Sequence, residues 1–152
     1  MGQVASRLHA CPRAGVVPTL RAMPRESTPD EGFGKHIALE MTERGTGASR
    51  CRLSVSPIHL NPHGVVHGAV IYAMADQGMG AAVYPLLEPD ESCATIEIKI
   101  VYMAGVPGGE LECESRVINK GRRVAVLESE VRNGERLVAK ALGTFAIFPL
   151  RQ

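Results

Sequence analysis

Charge imbalance is nearly absent from this sequence: 17 Lys and Arg stand against 16 Asp and Glu in 152 residues, a net of +1. A chain so balanced offers no electrostatic footprint for nucleic acid or for a broadly anionic surface, and neither is expected as a partner. Cysteine is sparse. The four residues, Cys11, Cys51, Cys93 and Cys113, include no C-x-x-C pair and no tight cluster. That spacing argues against a disulfide framework, and the thiols read as reduced, partly core, residues of an intracellular protein. Internal repeats and low-complexity tracts are missing as well. What remains, 45% apolar and 22% charged, is the composition of one soluble globular domain with a core of ordinary size.

Charge is scarcest between Val65 and Leu87, where "VVHGAVIYAMADQGMGAAVY" carries one carboxylate, Asp76, and otherwise only the titratable His67. About 20 apolar residues can cross a bilayer. This run, however, is interrupted by Asp76, Gln77, Gly78 and Gly80, stops at Pro85, and owes much of its bulk to Ala and Gly. It predicts a buried helix beginning near Val66 and ending before Pro85, with no membrane partner. At about 100° per residue, Val70, Ile71, Met74, Ala75, Gly78, Met79, Ala82 and Val83 fill a broad arc that includes Tyr72. Asp76 lies just past its edge, with Ala73, Gln77 and Gly80 on the small, uncharged remainder. Such a helix must be covered nearly all round. A lone carboxylate on it is costly unless it is paired or put to use.

The flanks read differently. Residues 1–30 hold Arg7, Arg13, Arg21 and Arg25, no acid before Glu26, and prolines at 12, 18, 24 and 29. A mobile or processed arm is expected there, with the domain proper over 31–152. The Arg-rich, acid-poor start would suit a mitochondrial transit sequence, and Met1-Gly2-Gln3-Val4-Ala5-Ser6 fits the loose N-myristoylation pattern. An irregular extension on a cytoplasmic protein is the plainer reading. Beyond the arm, "HIALEM" (His36 to Met41) and "SRCRLSV" (Ser49 to Val55) read as strands around the turn-rich "TERGTG". After the helix, "ATIEIKIVY" alternates, with Ala94, Ile96, Ile98, Ile100 and Tyr102 on one face and Thr95, Glu97 and Lys99 on the other. "ELECESRV" turns Glu110, Glu112, Glu114 and Arg116 to solvent. "RVAVLESEVR" and "RLVAKALGTFAIF" flank Asn133-Gly134, a strong hairpin signal, and Lys120-Gly121 marks another turn.

One helix against one antiparallel sheet is the α+β hotdog architecture, and "NPHGVVHGAVIYAMAD" carries a signature that fits it. The segment resembles the N-x-x-G-x-x-H-G-G-x-x-x-x-x-x-D pattern of hotdog acyl-CoA thioesterases of the phenylacetic-acid-degradation (PaaI-like) type. It matches at Asn61, Gly64, His67, Gly68 and Asp76, and the likeness extends over roughly residues 35 to 148. Ala69 stands where the pattern has its second glycine. Ala is harmless there if the position only turns the chain into the helix, and it narrows the pocket if an acyl group approaches that backbone.

The chemistry such a motif suits is thioester hydrolysis, which needs donors where the carbonyl oxygen becomes negative and a base or nucleophile for the carbonyl carbon. The Gly68 N–H at a helix start supplies the first, and Asp76 the second. Asn61 can hold water or the thioester oxygen by its amide, and His67 orients the helix start. Eight helical residues separate Asp76 from Gly68, roughly 12 Å at about 1.5 Å each. An antiparallel helix from a second subunit would close that gap, so a homodimer with a shared site is expected, pairing further into a homotetramer; the resemblance implies the same dimer. It also gives Thr95 a supporting role, at a position where the family often has Ser or Thr beside the carboxylate or water. Lys120, Arg122 and Arg123 form a basic turn suited to coenzyme A phosphates. His59, His63 and His67 recur every four residues, but Pro62 and Gly64 break any helix there, so no metal and no cofactor is expected. A non-catalytic acyl-CoA-binding module is the alternative reading, and Asp76 and Asn61 argue against it. A hotdog hydratase would need an Asp/His pair in a different setting.

Overall fold

Alternating inward and outward residues build the sheet. In the computed structural model, which describes residues 32–150, strand β4 (Glu110–Lys120) buries Leu111, Cys113 and Ser115 while Glu110, Glu112 and Glu114 face out. Strand β5 (Val124–Asn133) buries Ala125, Leu127, Ser129 and Val131, and β6 (Arg136–Pro149) buries Ala139, Ala141, Phe145 and Ile147. The β5–β6 hairpin closes between paired Asn133 and Arg136, with Gly134 at φ +58°. The arm expected over 1–30, with its transit and myristoylation readings, lies outside the described residues.

Ahead of these lie α1 (Phe33–His36), β1 (Glu40–Gly45), β2 (Ala48–Ser54) and the long helix α2 (Gly68–Val83), and β3 (Glu91–Tyr102) follows it. All six strands form one antiparallel sheet in the order β1-β2-β4-β5-β6-β3, wrapped against α2. This is the hotdog fold. "HIALEM" is mostly not strand: Phe33–His36 makes a helical turn and Ala38 takes φ +50° before β1 begins. The expected turn "TERGTG" shrinks to Thr46-Gly47, because Glu43 is drawn into the sheet beside the Arg50 guanidinium at 2.7 Å.

Helix α2 contains Gly68, Gly78 and Gly80, each about 1 kcal/mol poorer than Ala for helix formation, so packing must hold it. Met74, Ala75, Met79, Ala82 and Val83 are buried completely, in two clusters with Leu53 and Leu111 at one end and Leu127 and Phe145 at the other. Between the clusters runs a polar seam. Ser49 Oγ donates to the Gly78 carbonyl at 2.7 Å, Ser129 Oγ to the Ala75 carbonyl at 3.4 Å, and Ser115 and Ser129 share a hydrogen bond of 2.7 Å. These small buried hydroxyls let the sheet approach the helix backbone closely. The other side of α2, marked by Ala69, Tyr72, Asp76 and Gly80, is left only partly covered by this chain.

Candidate active site

The start of α2 is set by what its preceding loop can bond. Val66 N–H donates to the Val106 carbonyl at 2.8 Å and His67 N–H to the His59 carbonyl at 2.7 Å, which holds both residues out of the helix. The helix therefore begins at Gly68, two residues later than the apolar run suggests. His67 caps it: Nδ1 accepts the Ala69 N–H at 3.0 Å, and its carbonyl accepts the Val70 N–H at 2.9 Å. Among the described residues the Gly68 N–H finds no acceptor, and it stands at the positive end of the helix dipole. Ala69 is an ordinary second residue of the helix, so the missing glycine costs the turn nothing.

Asn61 shapes the loop that leads in. Its Oδ1 accepts the His63 N–H at 2.8 Å and sits 3.5 Å from the Val65 N–H, a side-chain turn of the Asx kind. Gly64 completes the turn at φ +73°. With the oxygen engaged, the Nδ2 amide is the part of Asn61 that can donate outward.

No local sequence signal marks Tyr102 as a site residue, yet it covers this end of the helix. Its hydroxyl donates to the Gly68 carbonyl at 2.9 Å, and a β-carbon added to Gly68 would lie 3.2 Å from the ring. Glycine here admits the phenol, which a side chain would crowd. Burial, then the neighbouring Tyr72, hold the Tyr102 hydroxyl above its usual pKa range, so it stays a donor. Its alternation already placed Tyr102 toward the helix; its partner, 34 residues away, left no local signal.

Asp76 lies two turns along, half-buried, and accepts a hydrogen bond of 2.7 Å from Thr95 Oγ1. This corrects the expected orientation of Thr95, which simple alternation set on the face away from the helix. The register of β3 against β6 slips between Thr95 and Glu97, which pair with the consecutive residues Phe145 and Thr144. Ile96 is the extra residue of a β-bulge, and such an insertion reverses which residues point inward. Thr95 therefore shares the helix side with Phe145, whereas Ile96, expected in the apolar face, is 57% exposed.

The structure thus gathers Asn61, His67 and Gly68 at one end of α2 and Asp76 with Thr95 further along. The helical rise keeps the two groups roughly 12 Å apart within one chain. Lys120, Arg122 and Arg123 lie elsewhere, at the exposed β4–β5 tip. Both arginines line a cavity of about 430 Å³ with Glu91, Ile147, Phe148 and Pro149. Neither it nor a second cavity of about 450 Å³ on the β1–β2–β4 side is lined by Gly68 or Asp76.

The remaining candidates have other occupations. His59 is buried, with Nδ1 accepting the Ser56 N–H at 2.9 Å and Nε2 on the Ile37 carbonyl at 3.0 Å. Its lone pairs are not available to a metal. No three His, Cys, Asp or Glu among the described residues are grouped to hold one. Burial pushes the Cys93 thiol up to about 11, which keeps it protonated and a poor nucleophile. Cys51 and Cys113 face each other across β2 and β4 in the core. No helix among the described residues is long and apolar enough to cross a membrane.

Comparison with known proteins gives this geometry a context. Residues 63–140 match the thioesterase superfamily. A Pseudomonas aeruginosa protein that bears the name of an esterase is 33% identical over 94 residues, covering 61% of this chain and 70% of that one. A solved structure of a conserved protein from Pseudomonas aeruginosa superposes with a TM-score of 0.72 at 35% identity, covering 78% of this chain and 94% of the other. A mutant of the phenylacetic acid degradation protein PaaI from Thermus thermophilus is similar at TM-score 0.71 and 25% identity, over 75% and 95% of the two chains.

Proposed function

The chain belongs to the thioesterase superfamily, and on that premise we propose that it hydrolyses acyl-CoA thioesters at a site completed by a second copy of itself. The observation that carries this reading is Asp76, held by Thr95 on the open side of α2. A carboxylate placed there is oriented and only half-covered, as a group that must meet substrate has to be.

In this reading the thioester oxygen accepts the free Gly68 N–H at the head of α2, and Asn61 Nδ2 donates to the same oxygen or to the attacking water. The Asp76 of the second copy, brought alongside by an antiparallel helix, takes the proton from that water or attacks the carbonyl carbon directly. The carbonyl electrons move onto oxygen, where the Gly68 dipole stabilises them, and return as the thiolate leaves and takes up the proton that Asp76 removed. On the direct route a water then opens the acyl–Asp76 anhydride and restores the carboxylate. His67 and Thr95 hold the two halves in position. Two further features support a pairing of copies. β3 ends the sheet as a 12-residue edge strand, and Ile96, Val101 and Tyr102 along it and Met103 beyond are each about half exposed. A long apolar edge of that kind is a site for strand pairing. Ala69 stands on the same open stripe, where its methyl group narrows the acyl path.

Mixing two inactive variants tests the shared site. Asn61→Ala and Asp76→Ala homodimers should each be nearly inactive toward a panel of aryl and straight-chain acyl-CoAs. Refolded together in equal amounts, they should recover about a quarter of wild-type turnover, since half the dimers are mixed and each holds one intact site. No recovery from exchanged, folded dimers would place both residues in one chain's site.

The basic tip is assigned to the nucleotide phosphates. Reversing Arg122 and Arg123 to Glu should raise KM for an acyl-CoA about tenfold with kcat little changed, as expected for charge-assisted phosphate contacts. The same acyl group on N-acetylcysteamine, which has no phosphate, should show no difference. An equal loss on both substrates would detach the tip from coenzyme A.

A further inference from the structure

We infer that His59 is a positioning residue for this site, the pin that fixes the Asn61–Gly68 loop against the body of the fold. The inference rests on the thioesterase reading for its catalytic consequence, and on geometry alone for its structural one. His59 ends the 3-10 turn Pro57–His59 and is 1% exposed, the only buried imidazole among the described residues. Every polar group on it is committed. Nδ1 accepts the Ser56 N–H at 2.9 Å, so the proton sits on Nε2, which donates to the Ile37 carbonyl at 3.0 Å. Its own N–H donates to the Ser56 carbonyl at 3.0 Å, and its carbonyl accepts the His67 N–H at 2.7 Å.

Those four bonds join three separate parts of the chain. Ile37 is buried just ahead of β1, Ser56 ends the run from β2, and His67 caps α2. Between His59 and His67 the loop is pinched shut, with Leu60 bridged to Val66 and the Asn61 N–H on the Val65 carbonyl at 2.8 Å. Asn61, His67 and Gly68 therefore move as one unit. The unit is held to the rest of the fold by the Val66 N–H on the Val106 carbonyl, by the Tyr102 hydroxyl on the Gly68 carbonyl, and by His59, which alone ties it to both Ser56 and Ile37. Displacing the loop by a fraction of an ångström would move the Gly68 N–H and Asn61 Nδ2 together away from the carbonyl they must meet. Misplacements of about 1 Å can cost about a hundredfold in rate.

Two conservative variants separate anchoring from simple space-filling. His59→Gln can keep the donor to Ile37 and lacks the acceptor for Ser56; His59→Asn keeps the acceptor and lacks the donor. With phenylacetyl-CoA and hexanoyl-CoA as probes, His59→Asn should lose about tenfold in kcat with KM changed less than about twofold, while His59→Gln stays within about threefold of wild type. Hydrogen exchange supplies a readout independent of turnover: the Asn61 and His67 amides should lose protection in His59→Asn and largely keep it in His59→Gln, with β4 and β5 unchanged in both. Unaltered exchange in the 59–68 loop of His59→Asn, or kcat losses equal in the two variants and matching their folded fractions, would overturn the proposal. Should wild type hydrolyse neither probe while the exchange contrast appears, the anchor stands and the thioesterase reading is what fails.

Discussion

Asp76→Asn should lower thioester turnover by about a hundredfold or more while leaving the protein folded and associated, since positioned acid–base groups contribute about that much. The substitution isolates chemistry from structure. Asparagine keeps the volume of aspartate, and its Oδ1 can still accept the Thr95 hydroxyl that now donates at 2.7 Å. What disappears is the ability to take a proton from water or to attack a carbonyl carbon. Thr95→Val, which removes the donor but keeps the shape, should cost less, about tenfold, because it loosens the carboxylate without removing it. Coenzyme A release measured with a thiol reagent, alongside thermal unfolding, reads both effects. Asp76→Asn with wild-type turnover would make the carboxylate a structural group and remove the mechanism. Turnover in oxygen-labelled water then tests for one route: label in the Asp76 carboxylate marks direct attack followed by water opening the anhydride at the aspartyl carbon.

How much of this was legible in the sequence depended on whether a signal was local. The strict alternation of Leu111, Cys113 and Ser115 with glutamates placed β4, and Asn133-Gly134 placed the following hairpin, because both are decided by neighbours along the chain. The spacing of Asn61, Gly64, His67, Gly68 and Asp76 carried the family, and with it the helix that holds Gly68 and Asp76. Alternation describes only half of β3. Ile98, Ile100 and Tyr102 follow the expected face, but the bulge at Ile96 inverts the residues before it, and a bulge is fixed by the partner strand, which alternation within one strand does not contain. The side of Thr95, and with it the Asp76–Thr95 bond, was hidden for that reason. His59 was visible only as one of three regularly spaced histidines, although Ser56-Pro57 ahead of it is a capping pattern that points to a turn. The charge-rich "TERG" looked like a loop because its Glu43–Arg50 pairing exists only once β1 and β2 are side by side. The seam of Ser49, Ser115 and Ser129 was the least readable, since inward serines on strands look like solvent positions until a helix backbone lies over them.

That seam yields the other large effect. Gly78→Ala should destabilise the protein by about 2 kcal/mol, even though alanine is about 1 kcal/mol the better helix former. A β-carbon at Gly78 would overlap Ser115 Oγ and press within 3.3 Å of Ser115 Cβ and 3.7 Å of Cys113 Sγ. Ser115 has nowhere cheap to go, because its hydroxyl is bonded to Ser129 at 2.7 Å, and breaking a buried hydrogen bond costs about 1–3 kcal/mol. The helix must lift instead, and lifting strains the 2.7 Å bond from Ser49 to the Gly78 carbonyl. Removing the obstructing hydroxyl should relieve this: Ser115→Ala should recover at least about half of the loss in the Gly78→Ala background, although by itself it costs about 1 kcal/mol. Ser129 then keeps its contact with the Ala75 carbonyl at 3.4 Å. Urea midpoints at one fixed protein concentration measure all four species. A Gly78→Ala protein as stable as wild type would mean that Ser115 does not set the helix–sheet distance. Gly78 also lies two residues beyond Asp76 on the same helix, so a lifted backbone carries the carboxylate away from Thr95. Turnover of Gly78→Ala should therefore fall by more than its folded fraction, and return with Ser115→Ala in step with stability.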